Sequence, residues 1–324
     1  MTFFNEHLLV GADQCAWFFL KVKSQGGFST VYNEKGFLEK FKVFAMFALV
    51  PLFAFFVVII IPFLIGIFMT FTNSTGSTLS MEFTGLQNYI TAFKDANFWN
   101  SLGFTFKYTI VSIILTNVIA FGLALLVTSG LKGQNVFRMG FFTPNLIGGI
   151  ILGFIWQFIF SRVFVQMGEA LNLKIFSSSW LADPEKAFWS LIIVGVWQSS
   201  GYMMLIYISG LMGIEKSLIE AATVEGASPW SQLIKIKIPL IIPAFTISLF
   251  LTLQRSFMVY DTNLSLTRGG PYRATELISM HVYNEAFLYQ NFGPGQAKAL
   301  ILFVVVAIIA IAQVSIMKKL EVES

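Results

Sequence analysis

The side chains of this sequence that could do chemistry sit in two places. One is Gln198-Ser199-Ser200-Gly201-Tyr202, a small and polar group in the middle of an apolar run. Such a group is costly against lipid, so it must face a bundle interior or a cavity, or bond to a neighbouring helix. The residues leave contact with a transported solute and interhelical bonding equally open. The other is Glu220-Ala221-Ala222-Thr223-Val224-Glu225-Gly226, followed nine residues later by Ile236-Lys237-Ile238-Pro239. Here Ile219, Ala222 and Ala227 can line one side of a short helix, and Glu220 and Glu225 offer anionic handles. Gly226 permits a backbone conformation that other residues resist, and Pro239 can open the next helix. The expected shape is two short helices at an angle beneath a membrane bundle, offering a knob to a cleft in a partner. A solvated amphipathic linker is the plainer alternative.

Other chemistry is missing. No Gly-x-x-x-x-Gly-Lys phosphate loop occurs, so this chain is not expected to bind ATP by itself. No His-Glu-x-x-His occurs, and with only His7 and His281 no Ser/His/Asp set can be nominated. Histidine-based metal or acid–base sites are therefore not expected, and the single Cys15 excludes an intrachain disulfide. The catalytic and metal sets are empty.

The elements that must position those residues are membrane helices. Of the 324 residues, 56% are hydrophobic, 36 are Phe and 12% are charged, about half the charged share of a soluble domain; the mean hydropathy is +0.74. Six windows lack any charge: Val43–Phe71, Tyr108–Leu131, Met139–Ser161, Ala187–Ile214, Ile238–Gln254 and Ala299–Met317. A bilayer takes about 20 apolar residues as a helix, so five windows span with ease. The fifth, Ile238–Gln254, is the shortest and spans if Arg255 sits near the interface or faces an aqueous cavity. Charges inside the windows are nearly absent, against a proton relay or voltage sensor. Pro51 and Pro62 predict kinks in the first span. Gly149 and Gly153, four apart in the third, let another helix approach closely.

Lysine and arginine orient the chain. With the N-terminus inside, inner segments hold twelve of the 21 and outer segments nine, on longer loops. The bias puts both termini and the Glu220–Pro239 loop in the cytoplasm. The net charge of +4 reflects lysines beside the membrane rather than nucleic-acid binding. No cleavable signal peptide is expected, because Glu6 and Asp13 fall in the first 20 residues without an early basic cluster. The expected organisation is a cytoplasmic tail over 1–42, either irregular or an interfacial helix, a six-span domain over 43–317 and a tail over 318–324.

Glu220-Ala221-Ala222, Gly226, Ile236 and Pro239 resemble, at matching spacing, the cytoplasmic loop of permease subunits of binding-protein-dependent ABC importers. Ile238 stands where that family usually has Leu. Phe83-Thr84-Gly85-Leu86-Gln87-Asn88-Tyr89 resembles an outer-loop signature of carbohydrate-uptake permeases, as does Leu266-Thr267-Arg268-Gly269-Gly270-Pro271 with Ala274-Thr275-Glu276. Arg138, Pro144 and Trp156 fit their third span. The resemblance covers roughly residues 40–320 and is nearest the maltose-type first permease.

The resemblance implies an all-α, six-helix type I importer bundle in the bacterial cytoplasmic (inner) membrane. It implies a second homologous permease, two ATPase subunits that carry ATP and Mg, and an extracytoplasmic solute-binding protein that delivers a sugar, an oligosaccharide first. Glu220, Ala221, Ala222, Gly226, Ile236 and Pro239 would couple to the ATPase. Because the fourth and fifth spans line the family's pathway, Gln198, Ser199, Tyr202, Gln254, Ser256 and Tyr260 are the expected cargo residues. Tyrosine offers a face for sugar rings and a hydroxyl for hydrogen bonds. Arg255 is expected to snorkel to the interface, although it could serve an anionic sugar. The alternatives are an importer permease for glycerol phosphate, an acidic oligosaccharide or a peptide, and an ATP-independent channel or scaffold.

Overall fold

The computed structural model describes residues 36, 41–42, 44–75, 82–130 and 132–321. The expected interfacial helix of the 1–42 tail lies almost wholly outside them. Met1–Ile65 and Gly66–Ser324 form two compact units.

Twelve helices carry the argument: α1 (Ala45–Met69), α2 (Gln87–Lys94), α3 (Ala96–Thr128), α4 (Gln134–Phe142), α5 (Gly149–Leu171) and α6 (Pro184–Met212), then α7 (Lys216–Val224), α8 (Pro229–Leu240), α9 (Ile242–Phe257), α10 (Asp261–Leu266), α11 (Ile278–Tyr283) and α12 (Phe292–Lys318). Five of these (α1, α3, α5, α6 and α12) are long and apolar enough to cross a membrane, and α8 with α9 makes a sixth if that bent pair is one span.

Three prolines share one local setting. Pro51 and Pro62 lie inside α1 without breaking it, and each follows a wider π-helical stretch, Ala45–Leu49 and Phe56–Ile60. Leu233–Lys237 does the same before Pro239 in α8. Proline lacks an N–H and its ring crowds the carbonyl one turn back, and a widened turn is one way a helix absorbs both. Pro239 therefore closes α8 rather than opening the fifth span. That span starts at Ile242 after a 68° bend, with Pro243 in its first turn, and runs to Phe257. Its 16 residues cover about 24 Å.

The third span is broken. After α4, a 3₁₀ turn over Thr143–Leu146 contains Pro144, and Ile147 and Gly148 are extended before α5 begins. Non-helical backbone survives at membrane depth where it is buried in protein or lines a cavity. Gly149 and Gly153 admit α10 closely, since a Cβ on Gly149 would lie 2.8 Å from that of Asp261, and one on Gly153 would overlap the Ser265 hydroxyl.

The core runs between α3, α5, α6 and α9. One cluster centres on Phe160, Leu191 and Ile192 and another on Met203, Met204 and Tyr207. A buried polar tie crosses it. Tyr207 and Ser248 both donate to Asn117 Oδ1, at 2.7 and 2.6 Å, and Asn117 Nδ2 reaches Thr252 Oγ1 at 3.4 Å. Three helices are thereby fixed in one register, because a partly satisfied buried network costs more than an apolar one. The 83–89 segment is held similarly: Asn88 Nδ2 donates to Thr70 O and Thr72 O at 2.8 and 2.7 Å.

Candidate translocation cavity

A cavity of about 400 Å³ opens where the broken third span meets α3, α6 and α9. Each wall has a local cause. On α6, Gln198 donates through Nε2 to Ile147 O at 3.0 Å, a carbonyl freed by the break, and Ser199 lies beside it on the cavity. On α9, Thr252 and Ser256 are one turn apart and share a face; both line the cavity. Past the end of α9, Tyr260 closes the wall with its ring 4.6 Å from that of Tyr283. On α3, Tyr108, Ser112 and Thr116 supply hydroxyls at four-residue spacing.

Arg255 does not snorkel away. Its guanidinium lies 4.8 Å over the Tyr202 ring, donates to Asn145 Oδ1 at 2.8 Å and lines the cavity. The helix continues past it to Phe257, which keeps its base inside the protein. Asp261 is the other charged residue on the wall. Tyr202 supports Arg255 rather than lining the cavity itself.

Of the expected cargo residues, Gln198, Ser199, Ser256 and Tyr260 meet at this cavity and Tyr202 stands behind it. Gln254 does not. It is exposed, bonds to Met258 Sδ at 3.2 Å, and faces an apolar groove between α9 and α12. Tyr108, Ser112, Thr116, Asn145, Gly195, Thr252 and Asp261 also line the wall and were not anticipated. Their one sequence signal is the helical spacing of Thr105, Thr109, Ser112 and Thr116 inside an otherwise apolar run.

The 268–298 region holds a second polar centre, contrary to the expected scarcity of buried charge. The charge-free window starts at Ala299, but α12 starts at Phe292, so Lys298 lies inside the helix and is 2% exposed. Its ammonium donates to Asp95 at 2.6 Å and Glu285 at 2.8 Å, and lies 3.2 Å from His281 Nε2. Asp95, His281 and Glu285 are arranged as metal ligands could be, and the lysine itself occupies the point they share. Arg273 bonds Glu276 at 2.6 Å, completing the cluster. Burial works to raise the Glu276 pKa, but His281 and Arg273 outweigh it and hold the carboxyl at about 2. Asp95 is lowered too: burial is outweighed by Lys298, the Asn97 N–H and His281.

At the other end of the bundle, α7 carries Glu220, Ala221 and Ala222 and stops at Gly226, whose φ is +80°. Gln232 on α8 donates to Thr223 Oγ1 and Ala227 O at 3.1 and 3.0 Å, fixing the two short helices to one another. Glu220, Ala221 and Glu225 stay exposed, with apolar Val224 and Trp230 uncovered near them. Ile236 and Pro239 are half-buried on α8.

The family described as binding-protein-dependent transport system inner membrane component matches residues 118–322. This chain belongs to it. The permease is 45% identical over 267 residues to a probable starch degradation products transport system permease, AmyD of Thermoanaerobacterium thermosulfurigenes, covering 82% of this chain and 91% of that one. It is 31% identical to the multiple sugar-binding transport system permease MsmF of Streptococcus mutans, over 85% and 95% of the two chains. Among solved structures, a bacterial importer of the acidic polysaccharide alginate superposes with a TM-score of 0.75 at 20% identity, covering 87% of the permease and 96% of the alginate chain. That likeness shows the fold. The permease is thus an all-helical, multi-pass component of the cytoplasmic membrane.

Proposed function

We propose that this permease forms half the translocation pathway of an ATP-driven importer of neutral oligosaccharides. The observation that carries the reading is the wall of the 400 Å³ cavity. It offers amide, hydroxyl and tyrosine groups, and its two charged residues, Arg255 and Asp261, are of opposite sign. Sugar hydroxyls both donate and accept, so they can use both charges. A phosphate or uronate would pair with Arg255 but face Asp261 in the same space. The size fits a ligand cleft, and the likeness to sugar-uptake permeases supports the same cargo class.

Both termini and the α7–α8 loop face the cytoplasm in this reading, and the 268–291 segment faces out toward the binding protein. The second permease supplies the facing wall. ATP and Mg bind two separate ATPase subunits, whose motion enters through Glu220, Ala221, Ala222, Gly226, Ile236 and Pro239. The exposed acids and apolar side chains of α7 and α8 suit insertion into a partner's cleft. The bundles then rock to alternate access.

The test is uptake of labelled maltotriose, a fragment of starch, by proteoliposomes holding the assembled importer and its binding protein. ATP-dependent uptake, its loss in Glu220→Lys, and weak competition by a glucuronate-bearing oligosaccharide are expected. Uptake without ATP would return the chain to the channel reading. Preference for the acidic oligosaccharide would overturn the neutral cargo.

A further inference from the structure

The floor of the cavity is built in an unusual way. Tyr108 of α3 is 3% exposed and reaches across to α6, where it lies on Gly195; a Cβ there would overlap the Tyr108 hydroxyl. Both residues line the cavity, so the ring tip forms part of its surface. Beside the ring lies Ser112, whose buried hydroxyl oxygen has no well-formed hydrogen bond, and the same holds for Thr109 on the next turn. Other buried hydroxyls in these helices bond back to the carbonyl four residues earlier: Thr105 to Ser101, Thr252 to Ser248 and Ser256 to Thr252. Leaving a buried hydroxyl unpaired costs about 1–3 kcal/mol. Ser112, whose hydroxyl has only the Tyr108 side chain beside it among the described residues, points to a polar occupant where that ring is withdrawn.

We propose that Tyr108 is a specificity-determining floor of the cargo path: seated on Gly195, it sets how deep a sugar chain can enter, and Ser112 meets the innermost sugar unit. This rests on reading the cavity as the oligosaccharide path. Glycine at 195 is required because any side chain would drive the tyrosine off α6 and into the cavity. Tyrosine at 108 is required because a shorter residue would vacate the space its ring fills beside Ser112 and lengthen the path.

The opposed directions make the test. Uptake by the assembled importer is measured for maltose, maltotriose and maltohexaose, with basal ATPase activity and co-purification of the ATPase confirming assembly. Tyr108→Ala shifts the ratio of uptake efficiency toward the longest sugar by about 2- to 10-fold, the value of one added hydrogen bond. Gly195→Ala shifts it by a similar factor toward the shortest. Tyr108→Phe keeps the ring and so leaves the length ratio unshifted, whatever its overall uptake. Tyr108→Leu replaces the alanine variant if that one fails to assemble. Shifts in the same direction, or none, overturn the floor while leaving the importer reading intact. Failure of the wild-type importer to take up any of the three sugars overturns both.

Discussion

At the 268–298 cluster, Lys298 has three partners within 3.2 Å, and Glu276 is held by Arg273 and by Asn284. In the cavity, the Arg255 side chain bonds to Asn145 and lies on Tyr202, and the Asp261 carboxylate has no hydrogen-bond or ion-pair partner among the described residues. Both places hold charges that a bilayer would reject. One spends its charges on itself and ties α2, α3, α11 and α12 together. The other leaves donors and acceptors open to whatever enters. Polar groups satisfied within the chain serve the fold, and those left open are the ones proposed to meet cargo.

The contrast can be broken at its strongest point first. Lys298→Met leaves the half-buried Asp95 and Glu285 without their buried cation. Removing one partner of a buried pair costs about 3–5 kcal/mol, so the thermal midpoint of the purified importer falls sharply. Adding Asp95→Asn and Glu285→Gln recovers most of it; no recovery would mean the lysine acts by packing alone. Arg255→Ala is expected to do the reverse: uptake efficiency drops about 10-fold, the value of roughly 1.4 kcal/mol, with the midpoint nearly unchanged. An Arg255→Ala protein that melts as early as Lys298→Met would erase the distinction between the two places.

Acid should act on one region and spare the other. Glu276 has its carboxyl lowered from 4.5 to about 2 in the folded chain. A lowered acid contributes stability that is complete above its unfolded pKa and is lost as pH falls through the folded one. The contribution is therefore whole above about pH 4.5 and declines toward pH 2. Thermal midpoints across that range show a slope that Glu276→Gln flattens. The smallest effect lies outside both regions. Gly226→Ala forces alanine into φ +80°, where space is open but the backbone is strained. The cost of about 1 kcal/mol weakens ATPase co-purification about 5-fold, and an unchanged yield would free that turn from any coupling role.

Legibility followed how local each signal was. The spans were readable because apolar length alone defines them, and the α7–α8 loop because its residues fall at fixed spacing within one stretch. The cavity was half-readable. Gln254 and Ser256 look adjacent in sequence, but two residues turn a helix by about 200°, so they cannot share a face. Thr252, one turn before Ser256, was the partner to choose. Arg255 was left between the interface and a cavity because the charge-free window ended at Gln254; the helix begins four residues later than expected and runs on to Phe257, which puts Arg255 on the cavity. The Lys298 cluster draws on residues from 95 to 298, and the Asn117 tie on residues from 117 to 252. No spacing rule reaches across such separations.

The 68° bend between α8 and α9 makes the fifth span one arm of a bell crank. Its pivot is Ile241, which is 1% exposed and packs near Gly210. One arm, α8, carries Ile236 and Pro239; the other, α9, carries Thr252 and Ser256. Ser256 lies about 22 Å along the helix from the pivot. A 10° rocking of α8, transmitted rigidly, would sweep it by on the order of 4 Å, more than the reach of a hydrogen bond. On the proposed reading, a modest tilt at the loop would be enough to pull one wall of the cavity away from a bound sugar.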